Sequence, residues 1–308
     1  MHIGRPLALA LLTLAACKGD AAKSRSEKAA KGNDFWPEAP KATKSDRARK
    51  LAYNPENVKG YTLGIDVGSL AGADLSITAK MTLGLAFAPG ESPRDRVAKL
   101  SALDFDVNAA GQKMAMKLSG DTLTVDDGSG TPTTITRGQE GPLSLEAIVD
   151  KPFTTLTFGE DNKITAKGNP DHLFTDSGGD FLDTALVLFP DLPAGEIKPG
   201  HTWSVKRNVA LGNNLGRVDV TYDFEYVGDG ACPSGGTDCA QLAFTASSTD
   251  ATAIANGVEV KVGYGFAGKV FFDVPKGVID ESRIRMDMDV KADKYKLPMG
   301  GTYTLKPT

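Results

Sequence analysis

Val218-Asp219-Val220-Thr221-Tyr222-Asp223-Phe224-Glu225-Tyr226 decides the fold class. Apolar or aromatic side chains stand at every second place, with acidic or hydroxyl residues between them. Successive side chains of a strand point to opposite faces, so this period predicts a β-strand with one buried face and one wet face. The same rhythm runs through Val258, Val260, Val262, Tyr264 and Phe266. It returns at Ile284, Met286, Met288 and Val290, against Arg283, Arg285, Asp287 and Asp289. Nearer the N-terminus it passes through Leu75, Ile77, Ala79, Met81, Leu83, Leu85 and Phe87. Shorter instances are Leu63, Ile65, Val67; Leu103, Phe105, Val107; and Met114, Met116, Leu118.

One-sided alternation points to antiparallel sheets, because parallel strands are buried on both faces and read as unbroken apolar runs. The turns agree. Asn108-Ala109-Ala110-Gly111 and Pro275-Lys276-Gly277 each put glycine where a tight hairpin needs positive φ. Asp126-Asp127-Gly128-Ser129-Gly130 and Gly159-Glu160-Asp161-Asn162 read as turns too, since neither has the spacing and distal Glu of a calcium loop.

One stretch departs from the β rhythm. Between Asp180 and Phe189 the apolar residues Phe181, Leu182, Ala185, Leu186 and Phe189 approximate a helical stripe, and Pro190 ends it. Residues 92–99 are a weaker helix candidate. Trp203 opens a strand continued by Val205 and Val209. The expected fold is mainly β: a large curved antiparallel sheet, or sheets, or a half-barrel, with one amphipathic helix packed on the apolar face. It occupies residues 55–308, as one domain or as two halves meeting near 180–203.

The N-terminus carries an address. Arg5 precedes an apolar run from Leu7 to Ala16, about ten residues, which suits a signal peptide and is too short to span a bilayer. The run ends Leu14-Ala15-Ala16-Cys17, which resembles the lipobox of bacterial lipoproteins. That resemblance implies cleavage before Cys17 and acyl chains on its sulfur, with multiple chains giving stable anchoring. Residues 1–16 are then the signal peptide. Residue Lys18, where retained lipoproteins carry Asp, directs the expectation to the outer membrane of a Gram-negative cell envelope.

Residues 17–54 read as a tether with no apolar period. Positions 18–50 hold ten Lys and Arg against five Asp and Glu, whereas 51–308 hold 24 against 34. A basic tether thus precedes an acidic domain, and an acidic domain repels nucleic acid. Phe35-Trp36-Pro37 is the tether's one apolar island, able to dock on the domain, to dip into the membrane interface, or to stand as a sticky residue in a disordered segment.

Cys232 and Cys239 remain. An exported chain meets an oxidising compartment, so a disulfide closing a hairpin loop is expected. A metal site needs more ligands, and no histidine stands nearby. Beyond the leader the chain has only His172 and His201, at no ligand spacing. No nucleophile elbow, zinc-protease helix or phosphate-binding glycine loop is present. Asp171-His172 and Asp176-Ser177 suit caps and turns, and Asp287 with Asp289 suits a polar strand face. No catalytic residue, cofactor or metal is expected.

The Phe189-Pro190-Asp191-Leu192-Pro193 and Lys198-Pro199-Gly200-His201-Thr202-Trp203 segments, followed by long C-terminal strands, resemble uncharacterised β-rich envelope lipoproteins. More distantly the pattern is similar to the LolA/LolB and mycobacterial LprG architectures. That resemblance implies a curved sheet that shelters acyl chains. Two functions follow: a non-enzymatic envelope lipoprotein with a structural or partner-binding domain, or a carrier of lipid or another apolar ligand. The second places a cavity between sheet and helix near Phe181, Leu182, Leu186 and Trp203.

Overall fold

The computed structural model describes residues 36–43, 47–70, 73, 76–139, 144–169, 172, 189–210, 217–248, 251–255, 258–292 and 295–308. The first elements are β1 (Arg49–Lys50), β2 (Gly60–Ser69), β3 (Ile77–Pro89), β4 (Asp95–Ala109) and β5 (Gln112–Ser119). Next come β6 (Thr122–Asp126), β7 (Thr133–Thr136), helix α1 (Leu145–Val149), β8 (Thr154–Phe158) and β9 (Ile164–Gly168). The second half holds β10 (Glu196–Ile197), β11 (Thr202–Ala210), β12 (Arg217–Gly230), β13 (Cys239–Ser248) and β14 (Ala251–Ala255). The last strands are β15 (Val258–Asp273), β16 (Val278–Ala292) and β17 (Tyr295–Pro307).

Fifteen of these strands form one antiparallel sheet, whose main path runs β11-β12-β13-β15-β16-β17-β2-β3-β4-β5-β6-β7. Its path leaves β11 and β7 as edges, so the sheet is not closed into a barrel. The C-terminal strand β17 pairs with β2, which joins the two halves of the chain in one sheet.

Register explains why the alternation is so regular. A single row crosses the sheet through Trp203, Phe224, Phe244, Gly268, Ile284, Tyr303, Ile65, Met81, Phe105, Met116 and Val125, each opposite the next. The row on the other face reads Ser204, Asp223, Thr245, Ala267, Arg285, Thr302, Asp66, Lys80 and Asp106. Slipping any pair by one residue would turn an apolar set into water, so burial fixes the pairing. Gly268 interrupts the apolar row for a steric reason: a Cβ there would lie 2.5 Å from Cε1 of Phe244.

The sheet curls around its apolar side. The Tyr53 ring lies 5.3 Å from Phe158 and 5.4 Å from Phe272, centroid to centroid. Those partners belong to β8 and β15, on opposite limbs of the sheet. β4 makes the curl by forking: Asp95–Ala98 pair with β8, and Leu103–Ala109 pair with β5. The 92–99 helix expectation is therefore corrected. Asp95 accepts from the Ser92 amide in a tight turn, and the residues after it are claimed by strands on both sides. Sheet pairing overrides a weak local preference.

Among the described residues the only α-helix is α1, capped by the Ser144 hydroxyl accepting from the Ala147 amide. It buries Leu145 and Ile148 in the core. The amphipathic helix expected over 180–189 lies outside the described residues except for Phe189, which is buried in a bend.

One end of the trough is sealed. Phe189 meets Tyr61 edge-on at 5.3 Å, Tyr53 donates to the Pro190 carbonyl, and Leu192 is buried. The Asn162 side chain ties this plug to the Leu51 and Pro193 carbonyls. Asp191 accepts from the Ile164 amide and pairs with Arg207.

The stretch read as a tether packs on the domain from Trp36 onward. Trp36 stands edge-on to Phe271 at 5.1 Å, with the Arg283 guanidinium 4.5 Å over its ring. Together with the Cys232–Cys239 disulfide these form a second, smaller core on the polar face. Thr43 exchanges backbone hydrogen bonds with Asp229, and the buried Arg49 pairs with Asp229 and Asp238. Docking of the Trp36 island is thus the outcome of the alternatives that the sequence left open.

The β4–β5 hairpin carries a small local strain. Ala110 and Gly111 have φ of 51° and 85°, the primed turn that favours Asn-Gly. Alanine in the left-handed region costs about 1 kcal/mol. Ala110→Asn is expected to stabilise by roughly 0.5–1 kcal/mol, read as a rise in the urea midpoint at unchanged slope.

Candidate functional site

The concave apolar face is the part of the molecule that its construction leaves available. Most of its side chains belong to one core, including Leu63, Leu83, Val270 and Leu305, each 5 % exposed or less. In the middle of β2, β3 and β17, however, Ile65, Ala79, Met81 and Tyr303 are only partly buried. They are contiguous: Tyr303 lies opposite Ile65, Ile65 opposite Met81, and Val67 opposite Ala79. This patch lies along the strands away from the plug of Phe189 and Leu192.

Two hydroxyls interrupt the apolar surface. Ser282 is fully buried on this face, opposite Val270 and Leu305, and its Oγ has no hydrogen-bond partner. The Tyr303 hydroxyl donates only to the Met286 thioether, a weak acceptor, at 3.3 Å. Burial among apolar groups pushes the Tyr303 phenol well above its usual range, so it stays a neutral donor. Ser282 and Tyr303 are diagonal neighbours on adjacent strands, roughly 7 Å apart at the backbone. Buried hydroxyls ordinarily carry partners, and these two keep hydrogen-bonding capacity unused on the apolar face. The alternation already assigned this face to Ser282, in phase with Ile284 and Met286; the shortage of partners was not visible without the fold.

Of the residues expected to line a cavity, Trp203 is on this face. It stacks on Phe224 at 5.3 Å and donates its indole N–H to the Asp191 carbonyl, which makes it a wall of the plugged end. Phe181, Leu182 and Leu186 lie outside the described residues, as does Cys17. Cys232 and Cys239 form the disulfide, with Cα atoms 5.2 Å apart.

The titratable groups do not converge here. His172 is buried, its Nε2 2.8 Å from the Ile148 carbonyl; desolvation lowers its pKa and keeps the ring neutral. His201 is exposed and lies flat near Trp203 at 6.1 Å. Asp280 stands beside the two half-cystines. Both sulfurs are spent in the disulfide, and Asp280 accepts from the Ser234 amide and hydroxyl, so the trio anchors a loop. The Arg49 guanidinium is opposed by desolvation, but hydrogen bonds to Asp238 and Asp229 outweigh it and raise its pKa.

These features define an open antiparallel β trough with an apolar floor. The solved structures similar to it include lipovitellin, described for its lipid–protein interactions, at 9 % identity and a TM-score of 0.44. That match covers 81 % of this chain and 24 % of the lipovitellin chain, so the chain spans about a quarter of that protein. A Bacteroides fragilis protein assigned as exported, with a YmcC-like fold, matches at 10 % identity and a TM-score of 0.24, covering 83 % and 97 % of the two chains. A second from the same organism, assigned to the outer membrane, matches at 12 % identity and a TM-score of 0.12, covering 82 % and 99 %. No protein-family model matches the chain, and no curated protein matches it at a significant level.

Proposed function

We propose that this chain is a lipoprotein of the cell envelope, held to the outer membrane through acyl chains on Cys17, whose β domain carries an apolar ligand without catalysing a reaction. The observation that supports this most is the contiguous patch of partly buried side chains at Ile65, Ala79, Met81 and Tyr303 on the apolar face. Leaving apolar surface wet costs about 25 cal/mol per Å². An acyl chain laid along the trough would recover that cost. The Tyr303 hydroxyl, bonded only to a thioether, suits an amphiphile, whose ester or carboxyl oxygens accept what the surrounding Leu, Met and Phe cannot offer. Attachment rests on Leu14-Ala15-Ala16-Cys17, and the acidic domain disfavours nucleic acid as a partner.

One experiment tests both halves. The chain with Cys17→Ser is expected to leave the membrane fraction, and native mass spectrometry of the released protein should show an acyl-bearing mass that denaturation removes. Adding Met81→Arg, at a partly buried position of the patch, should abolish the adduct while circular dichroism stays β. A clean apoprotein would overturn the carrier reading in favour of a structural or partner-binding domain. Continued sedimentation of the serine variant with membranes would overturn the anchor.

A further inference from the structure

The docked N-terminal segment does not lie flat on the sheet. Between it and the polar face, over β12, β13 and β15, is a cleft of about 390 Å³. That is within the range of small-molecule pockets, roughly 300–1,000 Å³. Its roof is Trp36, Pro37, Ala39 and Pro40, and its floor includes Gln241 and Lys269. This site is on the opposite face from the concave trough and shares no residue with the patch around Met81.

The chemistry of the cleft is lopsided. Gln241 is 7 % exposed, and its Nε2 has no hydrogen-bond partner. A buried amide donor left unsatisfied costs about 1–3 kcal/mol. Lys269, half-buried beside it, makes no ion pair among the described residues. Gln241 pairs with Phe271 and Lys269 with Ala243, so the two are diagonal neighbours on adjacent strands, about 7 Å apart at the backbone. Lys41 lines the cleft from the roof, and no acidic residue is among its described lining. Next to Lys269 across β16 stands Arg283, whose Nε is also buried and unpartnered. Gln241, Lys269 and Lys41 therefore bring donors and positive charge to one spot with no acidic residue in the described lining, while Arg283 alongside is paired to Glu281 at 3.6 Å.

We infer that this cleft binds a small organic carboxylate with an apolar body. One carboxylate oxygen accepts from the Gln241 amide and the other from the Lys269 ammonium, a charge-assisted pair stronger than neutral bonds. The two prolines, Ala39 and the Trp36 indole enclose the apolar body, a contact that an inorganic anion would not use. Trp36 is held in place from behind by Phe271 and Arg283, so the roof is preformed.

Benzoate titrated calorimetrically into the full chain in detergent is the test, with benzyl alcohol and chloride as comparisons. Benzoate is expected to bind saturably, with neither comparison doing so. In a Trp203→Phe background, Trp36 is the remaining indole and should change its emission as benzoate binds. Gln241→Leu and Lys269→Met should each weaken binding at least tenfold with the β spectrum unchanged. No saturable binding, or binding that survives both substitutions, overturns the inference. Equal binding of benzyl alcohol would also overturn it, since the carboxylate would then contribute nothing. A Met81→Arg variant should bind benzoate as the parent does, which separates this site from the trough.

Discussion

Arg49→Ala is expected to cost about 3 kcal/mol, because it strands two carboxylates that depend on one guanidinium. The Arg49 side chain is 8 % exposed and bridges Asp229 and Asp238, and Asp229 also accepts from the Tyr226 hydroxyl. Asp229 is 18 % exposed at its side chain and Asp238 33 %, so water compensates only in part. The forked guanidinium donates from Nε and both Nη atoms across the two acids. A lysine ammonium at the end of an unforked stem cannot span them, so Arg49→Lys should recover little. Thermal unfolding should fall by roughly 6–10 °C for a domain of this size. Adding Asp229→Asn and Asp238→Asn should return part of the loss, since the penalty lies in the unpaired charges. If the single variant melts with the parent, the bridge does not hold the N-terminal segment to the sheet.

Phe272→Ala is expected to cost about 3–5 kcal/mol, the range for deleting a buried aromatic ring. Phe272 is fully buried and meets Tyr53 edge-on, while Tyr53 also contacts Phe158 from the other limb of the sheet. Removing the ring takes away packing and the means by which the two limbs meet. Phe272→Leu should cost less, since it keeps the apolar contact and loses mainly the ring geometry. Urea unfolding followed by far-ultraviolet circular dichroism distinguishes these variants. A loss below 1 kcal/mol for the alanine variant would mean that the sheet keeps its curl without this contact.

The strand alternation was legible because antiparallel sheets write their buried face into the chain at period two. Residues as distant as Phe224, Ile284, Ile65 and Phe105 were each in phase within their own strands, and the register then placed them in one row. What no local window contains is the order of strands. The pairing of β17 with β2 joins residues more than 200 positions apart and makes one sheet of what composition allowed to be two halves. The reading of 92–99 as helix failed for the same reason: its pairing partners, β3 and β8, stand on either side in space and not in sequence.

The sites show the same division. The Cys232–Cys239 pairing followed from compartment and spacing, and the structure adds that Trp36 packs against its bridge. The cleft under the N-terminal segment was invisible, because Pro37 and Pro40 meet Gln241 and Lys269 only once the chain has folded back on its polar face. The half-buried patch was equally hidden: Ile65 and Leu63 look alike in sequence, and only packing leaves one partly open and seals the other.

The sequence by itself determined the period of each strand, the side of it that avoids water and the turns that need glycine. Those are local properties, set by side-chain chemistry and backbone geometry over a few residues. Only the tertiary structure decided that the strands share one sheet, that the sheet bends until Phe158 and Phe272 face one tyrosine, and where donors are left without acceptors. Those depend on which distant surfaces meet, and burial and hydrogen-bond satisfaction are properties of the meeting rather than of the residues alone.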